Sequence, residues 1–126
     1  MKKAFLLVVL VVFGSLAVYA GGVSEAQIDA EYATKKYAER ADWLYEFNQM
    51  ANKVHNKGLD IVKDGGKYGY KIDDFDEYSY RYKVLLDIGV QYNFIDDKTR
   101  QQQIVKLREE RERVSTALSN SSGLGL

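Results

Sequence analysis

Apolar positions in this chain recur at steps of three and four, the spacing that gathers them on one face of a helix. Residues 24–62 read as one long helix. Ser24-Glu25-Ala26-Gln27 is a capping box, in which the serine hydroxyl and the glutamine amide satisfy opening backbone donors. From there Ala30, Ala33, Tyr37, Arg40, Leu44, Phe47, Ala51, Val54, Gly58 and Ile61 form a heptad seam, with Arg40 and Gly58 as its exceptions. Trp43, Tyr45, Met50 and Leu59 lie off that seam, so the apolar stripe is wider than a two-stranded coil requires. Asp64-Gly65-Gly66 is expected to stop the helix, because glycine accepts the left-handed cap conformation.

Residues 65–72 are rich in Gly and Tyr and read as a connector. Phe75, Tyr78, Tyr82, Leu85, Gly89 and Tyr92 again step three and four, whereas Tyr78, Tyr80, Tyr82 and Val84 alternate as a strand would. Leu85-Leu86 breaks the alternation, and the length is excessive for one strand, so a helix over 74–94 is favoured. After a short connection at 95–98, Thr99-Arg100-Gln101-Gln102 reads as the capping box of a third helix, 99–118. Its seam is Ile104, Leu107, Arg111, Val114 and Leu118. Residues 119–126 read as a loose tail. The expected fold is all-α, a single domain over 21–118. It is either an elongated antiparallel helical hairpin or a three-helix coiled-coil-like bundle behind a cleaved signal peptide.

The first twenty residues set the compartment. Lys2 and Lys3 precede the apolar run Ala4–Phe13, and Val18-Tyr19-Ala20 fits a peptidase site, so 1–20 reads as a secretory signal peptide. An uncleaved anchor is the competing reading, but Ala4–Ala20 falls short of the ~20 residues a span usually needs. Cleavage would leave no stable transmembrane span. It would also leave 16 basic against 18 acidic groups, a net charge of −2. The expected location is the periplasm, outer envelope or surface of a bacterium. The absence of Cys excludes disulfides, thiol nucleophiles and Cys-ligated zinc. The charge balance argues against a nucleic-acid partner.

Candidate chemistry is sparse. His55 is the only histidine and reads as a partly buried packing residue. No Gly-x-Ser-x-Gly elbow, P-loop or Gly-x-Gly-x-x-Gly occurs. The expectation is a non-enzyme with no cofactor and no metal. Asp73, Asp74, Asp76 and Glu77 could offer hard oxygens to calcium, but they do not follow the EF-hand order. They suit a helix N-terminus as well. The ten tyrosines are the least ordinary feature. Tyr68, Tyr70, Tyr78 and Tyr80 crowd the middle of the chain and are the candidate interaction residues, with core filling as the alternative.

These features point to an exported helical interaction protein, structural or adhesin-like, whose partner is another protein or a second copy of itself. A periplasmic holdase is the alternative, although helical chaperones of that kind tend to be basic. Asp29-Ala30-Glu31-Tyr32 is similar to a short stretch of the fusobacterial FadA-type adhesins; four residues carry over no functional position.

Overall fold

Helix α1 (Glu25–Ala33), α2 (Arg40–Asp64), α3 (Ile72–Gln91) and α4 (Asp97–Leu124) make up most of the computed structural model, which describes residues 23–64 and 72–124. The described residues contain no strand, so the Tyr-rich stretch from Tyr78 to Tyr82 is helical. The expected signal peptide at 1–20 and all but the last residue of the expected connector at 65–72 lie outside the described residues; Ile72 already belongs to α3.

The expected helix over 24–62 is two helices. The Ser24 capping box forms as anticipated: Ser24 Oγ accepts from Gln27 N–H at 3.1 Å, and Gln27 Oε1 accepts from Ser24 N–H at 2.8 Å. The helix then stops at Ala33. Lys35 N–H turns back to the Tyr32 carbonyl at 3.2 Å, and the Thr34 hydroxyl donates to the Glu31 carbonyl. Neither Gly nor Pro causes this break. Its return is tertiary, because leaving the helix lets Tyr37 bury its ring against Tyr92. The chain restarts at Glu39, whose N–H donates to Asp42 Oδ2 at 3.3 Å while its carbonyl accepts from Asp42 N–H at 3.1 Å. Ala30, Ala33 and Arg40 of the expected seam are consequently exposed.

The other boundaries also move. The α3 helix ends at Gln91 rather than 94, because Asn93 takes the left-handed conformation (φ 61°). Phe94 N–H donates to the Gly89 carbonyl at 2.8 Å and Asn93 N–H to the Val90 carbonyl at 3.0 Å, the paired bonds of a Schellman cap. Asp96, not Thr99, caps α4: its Oδ1 accepts from Thr99 N–H at 2.8 Å. Hydrogen bonding to Thr99 holds the Asp96 carboxyl below the usual range. The helix then continues to Leu124, through most of the expected tail.

The three longer helices pack pairwise. Trp43 meets the C-terminal end of α3 while Gly58 meets Phe75 at its start, so α2 and α3 run in opposite directions. Tyr82–Gln103 and Asp76–Arg111 set α3 antiparallel to α4. Helix α1 lies on α3 alone.

The core centres on Trp43, which is 1% exposed. Its indole N–H donates to the Leu85 carbonyl at 2.8 Å. Its ring stacks on Phe47 at 4.9 Å, and Phe47 stacks on Tyr82 at 4.9 Å. On the other side Phe94 lies at 5.9 Å and connects through Tyr92 to Tyr37. This continuous line of six rings joins α2, α3 and the connections after α1 and after α3. Gly89 admits it: a Cβ there would lie 2.6 Å from Trp43 Cζ2 and 3.0 Å from Ile95 Cγ1. Below this cluster Val54, Ile61, Phe75, Leu85, Leu86, Leu107 and Val114 fill the interior.

Two substitutions test this packing. Gly89→Ala should improve intrinsic helix propensity yet destabilise by about 2 kcal/mol through overpacking. The melting point should fall by about 10 °C, and an unchanged or higher value would contradict the close Trp43–Gly89 approach. Ser79 is 5% exposed, and its hydroxyl has no hydrogen-bond partner among the described residues. Ser79→Ala should therefore stabilise the fold by about 1 kcal/mol in a denaturant titration.

Candidate interaction surface

Helix α1 straps the outer side of α3 and is held by both packing and charge. Ile28 and Tyr32 are buried beneath it. The Tyr80 hydroxyl donates to Asp29 Oδ1 at 2.8 Å, and Arg81 Nη1 donates to both Glu31 oxygens at 2.8 Å. The loop after α1 is tied to α2 through Glu46, which accepts from Lys35 Nζ and the Tyr37 hydroxyl, each at 2.8 Å.

The strap separates two grooves. One, of about 320 Å³, runs between α1, α3 and α4 and is lined by Ser79, Tyr80, Lys83, Leu107 and Arg108. The other, of about 520 Å³, opens between α1, α2 and α3 and is lined by Tyr32, Tyr45, Met50, Lys53, Tyr78 and Arg81. Of the four candidate interaction tyrosines, Tyr68 and Tyr70 lie outside the described residues. Tyr78 and Tyr80 are not brought together. Two positions apart on a helix, they face different grooves, and Tyr80 is engaged by Asp29.

Other sequence-level candidates resolve differently. His55 is exposed rather than partly buried, with its side chain at 61% and Nδ1 3.4 Å from Glu110 Oε2. Within the acidic run, Asp76 accepts a two-pronged contact from Arg111 at 2.8 and 2.9 Å, and Glu77 faces Arg81 at 3.7 Å. These two acids serve inter-helix and intra-helix pairs. No group of three potential metal ligands occurs among the described residues, and none of their helices is long and apolar enough to cross a membrane.

A second surface lies apart from the inward seams. Tyr45, Asn48, Asn52, His55, Leu59 and Val62 step three and four along the outer side of α2, and all are exposed. Tyr45 is 68%, Leu59 52% and Val62 45% exposed. The spacing was legible in the sequence, but the wide apolar stripe of α2 masked it. Trp43 and Met50, off the expected seam, turn inward, whereas Tyr45 and Leu59 turn outward.

Comparison of the chain with protein-family models, curated proteins and solved structures gave no match.

The buried phenols give the fold an alkaline limit. Burial and the nearby Glu110 charge push Tyr82 up to about 12. Burial and a bond to a carboxylate also raise Tyr37 and Tyr80. An unfolded phenol titrates near ~10. Above that pH the folded chain holds protons the unfolded chain has lost, so the stability these phenols contribute declines as pH rises toward about 12. The melting point should be level from about pH 8 to 9 and lower at about pH 11. Tyr82→Phe should remove part of that fall; an identical fall in the variant would show that Tyr82 does not contribute.

Proposed function

We propose that the chain is an exported, non-enzymatic helical interaction protein of the bacterial envelope that self-associates, in a structural or adhesin-like role. The observation that supports this most is the outer face of α2, where Tyr45, Leu59 and Val62 stay exposed after the inward seams have been used inside the bundle. Large apolar side chains set in register on a helix gain by being covered. The Lys2-Lys3 start, the Ala4–Phe13 run and the Val18-Tyr19-Ala20 exit support export. Self-association also suits a small chain with no disulfide to stabilise it.

Sedimentation of the purified protein over a wide concentration range tests the reading. The expected result is a mass that is a multiple of the monomer's and a melting point that rises with concentration. A monomer at every concentration overturns self-association. A monomer that also suppresses aggregation of an unfolded client would instead favour the chaperone-like alternative.

A further inference from the structure

The groove between α3 and α4, beside the start of α1, gathers polar groups that the packing leaves unused. Asp76, Ser79, Tyr80 and Lys83 form its α3 wall, spaced i, i+3, i+4 and i+7 on one helix face. Ile104, Leu107, Arg108 and Arg111 repeat that spacing on α4. The Asp76–Arg111 and Tyr82–Gln103 bonds set the register of the two helices and put Ser79 level with Leu107, at the middle of the groove. Ser79 is 5% exposed, and its hydroxyl has no hydrogen-bond partner among the described residues. A shielded hydroxyl left unpaired lowers stability, and a ligand that accepts from it recovers that loss. Lys83 and Arg108 stand over the same groove, both exposed, and neither enters an ion pair among the described residues. The larger groove differs, because Arg81 pairs with Glu31 there and Lys35 with Glu46.

We infer that the α3–α4 groove binds a small organic monocarboxylate with a short aliphatic body. Lys83 and Arg108 take the carboxylate, the Ser79 hydroxyl is a third donor, and the body lies on Ile104 and Leu107. The Tyr80 hydroxyl does not compete as a donor, since Asp29 already accepts from it. Charge sets the valence of the ligand. Lys83, Arg108 and Arg111 against Glu25 and Asp76 leave the lining with one positive charge, and Arg111 is already bonded to Asp76. A phosphate monoester carries a charge of about −1.5 to −2 and would meet both acids at close range. Size sets the body. The groove holds about 320 Å³, at the small end of the roughly 300–1,000 Å³ typical of ligand sites. From Lys83 to Asp76 the helix rises about 10 Å, the length of a chain of about six carbons. The site needs no second copy of the chain.

The test titrates hexanoate into the purified protein by calorimetry, with acetate, 1-hexanol and hexyl phosphate as comparisons. Hexanoate should bind saturably with a dissociation constant below about 1 mM, and acetate and 1-hexanol about tenfold or more weakly. Lys83→Gln and Arg108→Gln should each weaken hexanoate about fivefold. Ser79→Ala should weaken it about threefold while raising the melting point, so that loss of binding is not loss of fold. Lys53→Gln, in the larger groove, should bind hexanoate as the wild type does. No saturable heat up to about 10 mM hexanoate overturns the site. Equal binding of 1-hexanol shows the cations to be idle and overturns it too. Hexyl phosphate bound about tenfold more tightly than hexanoate overturns the monocarboxylate assignment. Hexanoate binding that survives Ser79→Ala and both glutamine variants of the groove lies elsewhere on the protein, and the inference fails.

Discussion

The close approach of Trp43 to Gly89 is the constraint on which the rest of the structure depends. An indole edge can reach a helix backbone this closely only where a residue without a Cβ leaves room. Gly89 provides that room one turn after Leu85, whose carbonyl takes the indole hydrogen bond. The contact fixes the spacing of α2 and α3 at their shared end. It also places the Phe47 ring against Tyr82 and draws Phe94 and Tyr92 back over the bundle. The turn after α3 follows from this. Asn93 adopts a left-handed conformation so that Phe94 can return to the Gly89 carbonyl, and Arg40 Nε then bonds the Phe94 carbonyl at 3.0 Å. One glycine therefore serves ring packing and helix termination together.

The same aromatic line explains the break between α1 and α2. Tyr37 completes the line by its edge-on contact with Tyr92, and its hydroxyl reaches Glu46. A helix continued through residues 34–39 would carry Tyr37 on a straight path. Breaking it costs about six residues of helical hydrogen bonding, offset by the burial of Tyr37 and by the docking of Ile28 and Tyr32 on α3. The strap that results is joined to α3 by Tyr80–Asp29 and Arg81–Glu31. Burial outweighs the tyrosine hydrogen bond at Asp29 and raises its carboxyl above the usual range.

Much of this was legible in the sequence, and what was not has physical reasons. The all-helical class, the Ser24 capping box and the inward seam of α3 at Phe75, Tyr82, Leu85 and Gly89 follow from periodicity and local hydrogen bonding. The structure carries all of them. Gly58 interrupted the expected seam but proves to be a close approach, where a Cβ would lie 3.0 Å from Glu110 Oε2 and 3.3 Å from Phe75. The break at 34–39 was hidden because Lys35, Lys36, Ala38 and Glu39 are acceptable in a helix, and only tertiary contacts, such as those of Tyr37 with Tyr92 and Glu46, override them. Asn93 was a readable stop signal, obscured by the apolar Phe94 and Ile95 that follow it. The candidate surface was harder to read. Tyrosine number drew attention to Tyr78 and Tyr80, whereas the outer stripe of α2 is half asparagine and histidine and has little apolar signal.

The protein contains its own reporter of this arrangement. Trp43 is the only tryptophan, so fluorescence reads the centre of the aromatic line without labelling. The most direct measurement is the emission spectrum of the purified protein with iodide quenching, compared before and after unfolding in guanidinium. A buried indole bonded to the Leu85 carbonyl should emit to the blue of the unfolded chain and resist iodide. Both properties should be lost in the same transition as the helical circular dichroism. A native spectrum that matches the unfolded one, with equal quenching, would contradict a fold built around Trp43.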